Sequence, residues 1–232
     1  MKIVTDDSLP IDLTFVIPAY NEAARLPEVL RVVQQAACIH EILVVDDGSC
    51  DGTAEVAAAH GMRVLRLPVN SGKGSAMRAG AVAARGDILL FLDADLRDLT
   101  PAQVDALVHP VVTHQAEMSI GIFKGGRTLT DLAQVISPNI SGQRCLYRDF
   151  FLTTPLVEGS RSGIEVLITA HARANNMPIT VVDLPGATHC MKEEKLGPVR
   201  GAIARWRMYA EIVTTLRRYH RVAARGASKA SK

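Results

Sequence analysis

Asp87-Ile-Leu-Leu-Phe-Leu-Asp-Ala-Asp95 is an apolar run that ends in two carboxylates one residue apart. A run this short, bounded by acids, reads as a buried strand. Its carboxyl end is where open α/β sheets place their ligands. In an extended segment residues i and i+2 share a face, so Asp93 and Asp95 are expected to point the same way. Two such carboxylates repel each other unless a cation lies beside them. Hard oxygen ligands that leave room for substrate phosphates suit Mg²⁺ or Mn²⁺, and the pair is read as a metal and diphosphate site. Taken alone, an acidic turn after a core strand would look the same, so the flanking segments decide.

Working back from this stretch, strand and helix alternate. Residues 13–17 form an apolar run stopped by Pro18, and residues 22–37 carry Leu26, Val29, Leu30 and Val33 at helical spacing. Residues 42–45 are a second strand, stopped by Asp46-Asp47-Gly48-Ser49. An Ala-rich helix over 53–60, a strand over 63–67 and a helix over 75–85 lead to the fourth strand at 88–92. This rhythm predicts an α/β fold, a Rossmann-like and mostly parallel sheet flanked by helices.

Working forward, the pattern is less regular. It predicts a helix over 101–114, a strand near 118–122, a turn at Gly125-Gly126, a helical stretch over 130–136, and a strand within 141–147. An amphipathic helix over 163–175 and a strand over 179–183 follow. From Val199 the stripe Val199, Ile203, Trp206, Tyr209 or Ala210, Val213, Leu216 predicts a long C-terminal helix. The expected division is one domain over 1–199, with a nucleotide half at about 11–98 and an acceptor half at about 99–199, and an appended helix and tail over 200–232.

Bulk properties exclude several classes. With 48% hydrophobic and 22% charged residues the chain is neither disordered nor fibrous. No stretch approaches the roughly 18 apolar residues of a spanning helix. Residues 1–7 lack an apolar signal core, so a cytoplasmic address is expected. Cys38, Cys50, Cys145 and Cys190 are scattered, which fits reduced thiols rather than a disulfide frame or zinc site. The net charge of +2 hides an asymmetry: from Arg200 onward nine Lys and Arg face the single Glu211, leaving the tail at +8 and the body at −6. That tail is read as a docking or homodimer helix, or as one lying on an anionic membrane face through Arg205, Arg207, Arg217, Arg218 and Arg221. Nucleic acid is not expected as a partner, because no aromatic interleaving or known module accompanies the basic residues.

Each of the first four strands ends in residues suited to a nucleotide. Pro18-Ala-Tyr-Asn-Glu22 follows the first, Asp46-Asp-Gly-Ser49 the second, Asn70-Ser-Gly-Lys-Gly74 the third and Asp93-Ala-Asp95 the fourth. In a parallel sheet these turns converge. Asp47 could accept the N3 hydrogen of a uracil, Glu22 could hold ribose or base, and Lys73 could neutralise phosphate charge. The Asn70–Gly74 segment is not a Walker loop, which would need Gly at 67 and Ser or Thr at 74, where this chain has Leu67 and Gly74.

Phe15-Val-Ile-Pro-Ala-Tyr-Asn-Glu22, Val44-Val-Asp-Asp-Gly-Ser49 with Asp51-Gly-Thr53, and Asp93-Ala-Asp95 together resemble the nucleotide-sugar half of family 2-type GT-A glycosyltransferases, which include dolichyl-phosphate mannose synthases. The resemblance implies a GT-A fold, a nucleotide-diphosphate sugar donor and a divalent metal. Carried over, Pro18, Ala19, Tyr20, Glu22, Asp46 and Asp47 would hold the nucleoside, while Lys73, Asp93, Ala94 and Asp95 sit at diphosphate and metal.

The second half is similar in layout to glucosyl-3-phosphoglycerate synthases: Gly125-Gly-Arg-Thr-Leu-Thr130, Asn139-Ile-Ser-Gly-Gln-Arg-Cys-Leu-Tyr-Arg148, Gly163-Ile-Glu-Val-Leu167 and Thr188-His189. That likeness implies an acceptor phosphate or carboxylate held by Gly126, Arg127 and Thr128, a sugar contact from Glu165, and His189 beside Asp95 at the metal. Thr128-Leu-Thr130 and the segment from Cys190 to Lys195 depart from that family's pattern, which leaves the acceptor open. The expected activity is transfer from a UDP-glucose-like donor to a small anionic acceptor such as 3-phosphoglycerate, with retention. An inverting transfer to a polyprenyl phosphate is the alternative; only a non-phosphate acceptor would then need a base, with Glu165 or Glu158 as candidates. A non-catalytic nucleotide-sugar sensor is the alternative of another class.

Overall fold

Alternating burial along the first strands sets the architecture. In a computed structural model, which describes residues 12–37, 40–124, 141–155, 163–189 and Thr214, β1 (Leu13–Ala19) sends Phe15 and Ile17 to one side of the sheet and Val16 to the other. In β2 (Glu41–Asp46) and β4 (Ile88–Phe91) the alternation repeats. Ile42, Val44 and Leu90 join Phe15, while Leu43, Val45, Leu89 and Phe91 join Val16. Strands apolar on both faces need a helical layer on each. On the Phe15 side these are α1 (Leu26–Val33), α2 (Thr53–Ala59) and α4 (Pro101–Val112), through Leu26, Leu30, Ala57, Val104 and Leu107. On the Val16 side they are α3 (Lys73–Ala83), α5 (Arg148–Thr153) and α6 (Ile164–Ala174), through Met77, Phe151, Ile164 and Ile168.

Seven strands lie in the order β3-β2-β1-β4-β7-β6-β8, where β3 is Arg63–Arg66, β6 Met118–Lys124, β7 Arg144–Tyr147 and β8 Ile179–Pro185. The sheet is mostly parallel, as expected, but β7 runs antiparallel to both β4 and β6. A separate antiparallel ribbon pairs β5 (Leu96–Arg97) with β9 (Thr188–His189), placing Leu96 opposite His189. The chain steps outward from β1 to β2 to β3 and then returns to place β4 on the other side of β1. Strand order therefore reverses between β1 and β4, which opens a crevice at their carboxyl ends.

Two features fix the floor of that crevice. Helix α3 buries small residues, Gly74, Ala76, Gly80 and Ala81; a Cβ at Gly80 would collide with Val16 Cγ1 and lie 2.9 Å from Val45 Cγ2. The helix can thus sit directly on β1 and β2, with its N-terminus at the crevice. Below the end of β4, the Phe91 and Phe151 rings lie 4.7 Å apart, a contact worth about 0.5–1.5 kcal/mol beyond its buried area.

Three sequence expectations are revised. Helix α1 begins at Leu26 rather than Glu22, because Pro27 belongs in a first turn and the Glu22 carbonyl accepts from the amides of Arg25 and Leu26 in a preceding turn. It also ends at Val33 rather than residue 37. The strand β4 stops at Phe91, and Ala94 and Asp95 form a turn, so strand alternation does not set the directions of Asp93 and Asp95. The helical stretch over 130–136 and the C-terminal helix lie outside the described residues, apart from Thr214. Among the described residues Cys50 and Cys145 are not joined in a disulfide, and no helix is long and apolar enough to cross a membrane.

Candidate active site

The turn after β1 owes its shape to the turn after β2. Three successive amides, of Asn21, Glu22 and Ala23, donate to Ser49 Oγ, Thr53 Oγ1 and Asp51 Oδ2 at 2.9, 2.9 and 3.0 Å. Asn21, held at φ 54, returns the bond by accepting from the Cys50 amide at 3.0 Å. This reciprocal set ties the two turns together. Asp51 is held below the usual carboxylate range: burial opposes this, but the Thr53 hydroxyl and the Ala23 and Thr53 amides outweigh it.

The turn after β2 in turn fixes the one after β3. Gly48 has φ +72, and a Cβ there would lie 2.7 Å from Val69 C and 2.8 Å from Asn70 N; only glycine combines that backbone with that approach. Next to it Asp47, 3% exposed, accepts from the amides of Ser71 and Gly72, both at 2.8 Å. Its neighbour Asp46 is differently employed. One oxygen accepts from the Ser49 amide at 3.0 Å, and the other lies 3.2 Å from Arg66 Nε without hydrogen-bond alignment. Asp46 does not line the cleft.

Clamped in this way, the 70–72 turn delivers Lys73 at the first position of α3. Its ammonium bridges Asp93 Oδ1 at 2.5 Å and Glu165 Oε1 at 2.6 Å. Burial works against the lysine's charge, yet the two carboxylates raise its pKa well above the ordinary lysine range. Glu165 stands in the first turn of α6 and is 7% exposed. Asp93 is also held by Gln143, whose Nε2 donates to Oδ2 at 2.9 Å. Beside them lies Arg144, wholly buried, its Nε donating to the Ser141 carbonyl at 2.8 Å and Nη1 to Thr169 Oγ1 at 2.7 Å. Burial pushes its pKa down to about 10, against the opposing pull of Glu165 and Asp93, so it stays charged at neutral pH.

These groups converge on one cleft of about 260 Å³, lined by Pro18, Ala19, Tyr20, Glu22, Asp47, Asn70, Gly72, Lys73, Ala76, Asp93, Ala94 and Asp95. All the residues expected at the nucleotide are there except Asp46, and Glu165 joins through Lys73. His189 is placed by its backbone alone, paired with Leu96 next to Asp95. Gly126, Arg127, Thr128 and Glu158 lie outside the described residues. A larger hollow of about 490 Å³ between β3 and α3 is apolar, and no carboxylate lines it. Gln143 and Arg144 were given no role from sequence. The one available signal was a Gln-Arg pair leading directly into an apolar strand.

Residues 14–161 match the family model for glycosyl transferase family 2. The chain belongs to that family. Among sequence relatives, a dolichyl-phosphate beta-glucosyltransferase of Drosophila melanogaster is 43% identical over 106 residues, 39% of this chain and 32% of the relative. An undecaprenyl-phosphate 4-deoxy-4-formamido-L-arabinose transferase of Pseudomonas aeruginosa is 43% identical over 111 residues, 43% of this chain and 32% of the relative. The match thus spans about a third of the length of these curated relatives. Among solved structures, glucosyl-3-phosphoglycerate synthase of Mycobacterium tuberculosis in complex with Mn²⁺, UDP and phosphoglyceric acid superposes with a TM-score of 0.74 at 27% identity, covering 90% of this chain and 78% of that one. The same enzyme with Mg²⁺ and UDP gives 0.73 at 26%, covering 90% and 79%. The family 2 chain described here therefore has the GT-A architecture that its first-half motifs led one to expect.

Proposed function

We propose that this protein transfers a sugar from a nucleotide-diphosphate donor, UDP-glucose-like, to a small anionic acceptor such as 3-phosphoglycerate. The observation that carries this reading is the cleft at the β1/β4 switch point, where Glu22, Asp47, Asp93, Asp95 and Lys73 meet the N-terminus of α3. Four acids and one lysine make a lining that repels a diphosphate unless a cation accompanies it. With Asp93 and Asp95 in its lining, the cleft suits Mg²⁺ or Mn²⁺ bound through one or two carboxylates and the substrate's phosphates, with Asp95 and His189 as protein ligands. When bound, the ion supplies Lewis-acid charge to the leaving nucleotide.

The chain's own residues do the rest. Pro18, Ala19, Tyr20, Glu22 and Asp47 hold the nucleoside, and Lys73 with the first amides of α3 meets the diphosphate. Glu165 contacts the sugar, and Gly126, Arg127 and Thr128 receive the acceptor's anionic group. Attack on the leaving-group side retains the anomeric configuration and needs no protein nucleophile. Known relatives divide on the acceptor. Those named for polyprenyl phosphates match over 106 to 111 residues, too short to span both halves, whereas the likeness to the phosphoglycerate enzyme covers 90% of this chain. The small acceptor is favoured on that ground, and both classes carry a phosphate.

A donor screen in Mn²⁺ and Mg²⁺, reading nucleotide release with 3-phosphoglycerate, polyprenyl phosphate or water, tests the assignment. Release with 3-phosphoglycerate and its loss in Asp95→Ala are expected; binding of nucleotide without turnover on any acceptor would replace the enzyme with a sensor. Proton NMR of the first-formed product reads the stereochemistry.

A further inference from the structure

The lysine that the proposed reaction assigns to the diphosphate is already committed. In the structure its ammonium spans Asp93 and Glu165 at 2.5 and 2.6 Å, so to reach a donor it must leave at least one of them. Asp93 keeps the Gln143 amide at 2.9 Å and stands beside Asp95. For Glu165, 7% exposed, departure of the lysine would strand a carboxylate away from water, a state strongly disfavoured unless another cation is near.

Arg144 is that cation. It cannot follow the lysine: its guanidinium is wholly buried and tied to the Ser141 carbonyl and to Thr169 Oγ1, while Thr169 Oγ1 donates to the Glu165 carbonyl at 3.0 Å one turn back along α6. The Glu165 and Asp93 carboxylates both support its charge. We propose that Arg144 is a positioning residue, a fixed counter-charge that holds the Glu165 carboxylate in place when Lys73 leaves it for the donor's diphosphate. The inference rests on the glycosyltransferase reading above, since it needs a diphosphate to call the lysine away.

The test is calorimetric binding of UDP with Mn²⁺, which requires no turnover. With Arg144→Met, Lys73 is the cation left beside Glu165 among the described residues, and UDP affinity should fall about tenfold, as it should in Lys73→Met, the equivalent of one charge-assisted contact. Arg144→Lys should recover most of the loss. Adding Glu165→Gln to Arg144→Met removes the charge that detains the lysine and should return UDP affinity to within about threefold of wild type. A purely structural arginine joining β7 to α6 predicts no such suppression. Should Arg144→Met fail to fold, Glu165→Gln alone decides: it frees the lysine and should tighten UDP binding, whereas weaker binding overturns the proposal. Wild-type protein that binds no UDP would remove the transferase reading and this one with it. Normal binding by a folded Arg144→Met variant would remove this one alone.

Discussion

Replacing Asp47 by Asn separates a group that waits for a nucleoside from one that holds the ligand-free site together. In the structure both carboxylate oxygens accept backbone amides at 2.8 Å, from Ser71 and Gly72. An Asn offers one carbonyl oxygen and one NH₂, so one amide would face another donor. Ser71 is exposed and can turn its N–H to water, but Gly72 is buried. Losing one hydrogen bond to a charged acceptor costs about 1.5–3 kcal/mol, and the other weakens once the charge is gone, for a total of about 2–3 kcal/mol. For a chain of 232 residues each kcal/mol moves Tm by about 2–4 °C, so the ligand-free variant should melt about 5–10 °C early. Urea titration of the same samples should show a lower midpoint with an unchanged m value. If Asp47 serves only the nucleoside, the variant melts like wild type without nucleotide and differs only in the stabilisation that UDP adds. A ligand-free Tm within about 1 °C of wild type would refute the clamp.

Three further outcomes follow from the geometry. A Cβ at Gly142 would lie 2.5 and 2.6 Å from the Asp93 carboxylate oxygens and 2.6 Å from Lys73 Nζ. These are side-chain ends, so Gly142→Ala should leave Tm nearly unchanged while kcat/KM falls about 100-fold through misplacement of the pair; wild-type kcat/KM would show that the pair's position is immaterial. Gly80→Ala presses a methyl group onto Val16 and Val45 and should cost about 1–3 kcal/mol in urea unfolding, an effect that a variant as stable as wild type would disprove. Burial alone would raise the Glu41 carboxyl, but the Arg85 amide, Thr14 hydroxyl and Arg63 bring it below its ordinary value of 4.5. Its contribution is therefore complete above that pH and disappears as pH falls through the lowered folded value. The stability gap between wild type and Glu41→Gln should hold from neutrality to about pH 5 and narrow as pH falls below it; a gap that does not narrow on acidification would contradict the ion pair's role.

What could be read from the chain was local. Phe15, Val16, Leu43, Val44, Leu89 and Leu90 announce doubly covered strands because each strand's own residues carry the pattern. The four polar turns follow from where such strands must stop. Pairing direction is a property of two distant segments, so the antiparallel course of β7 left no local mark. The same reason hid Arg144. A wholly buried arginine is tolerable through Ser141, Thr169 and the acids Glu165 and Asp93, partners that lie up to 51 residues away. Asp93 and Asp95 were correctly placed at a strand's end, yet their common cleft comes from a turn rather than from strand alternation.

The ribbon of β5 and β9 has two registered pairs, Leu96 with His189 and Arg97 with Thr188. Two rungs bring only a few backbone bonds, each worth about 0.5–1.5 kcal/mol, against the fully buried ladder of β1. Amide protons on Leu96 and His189 should thus exchange by local opening long before those of Phe15 or Val44. One rim of the pocket breathes while the bed beneath it stays shut.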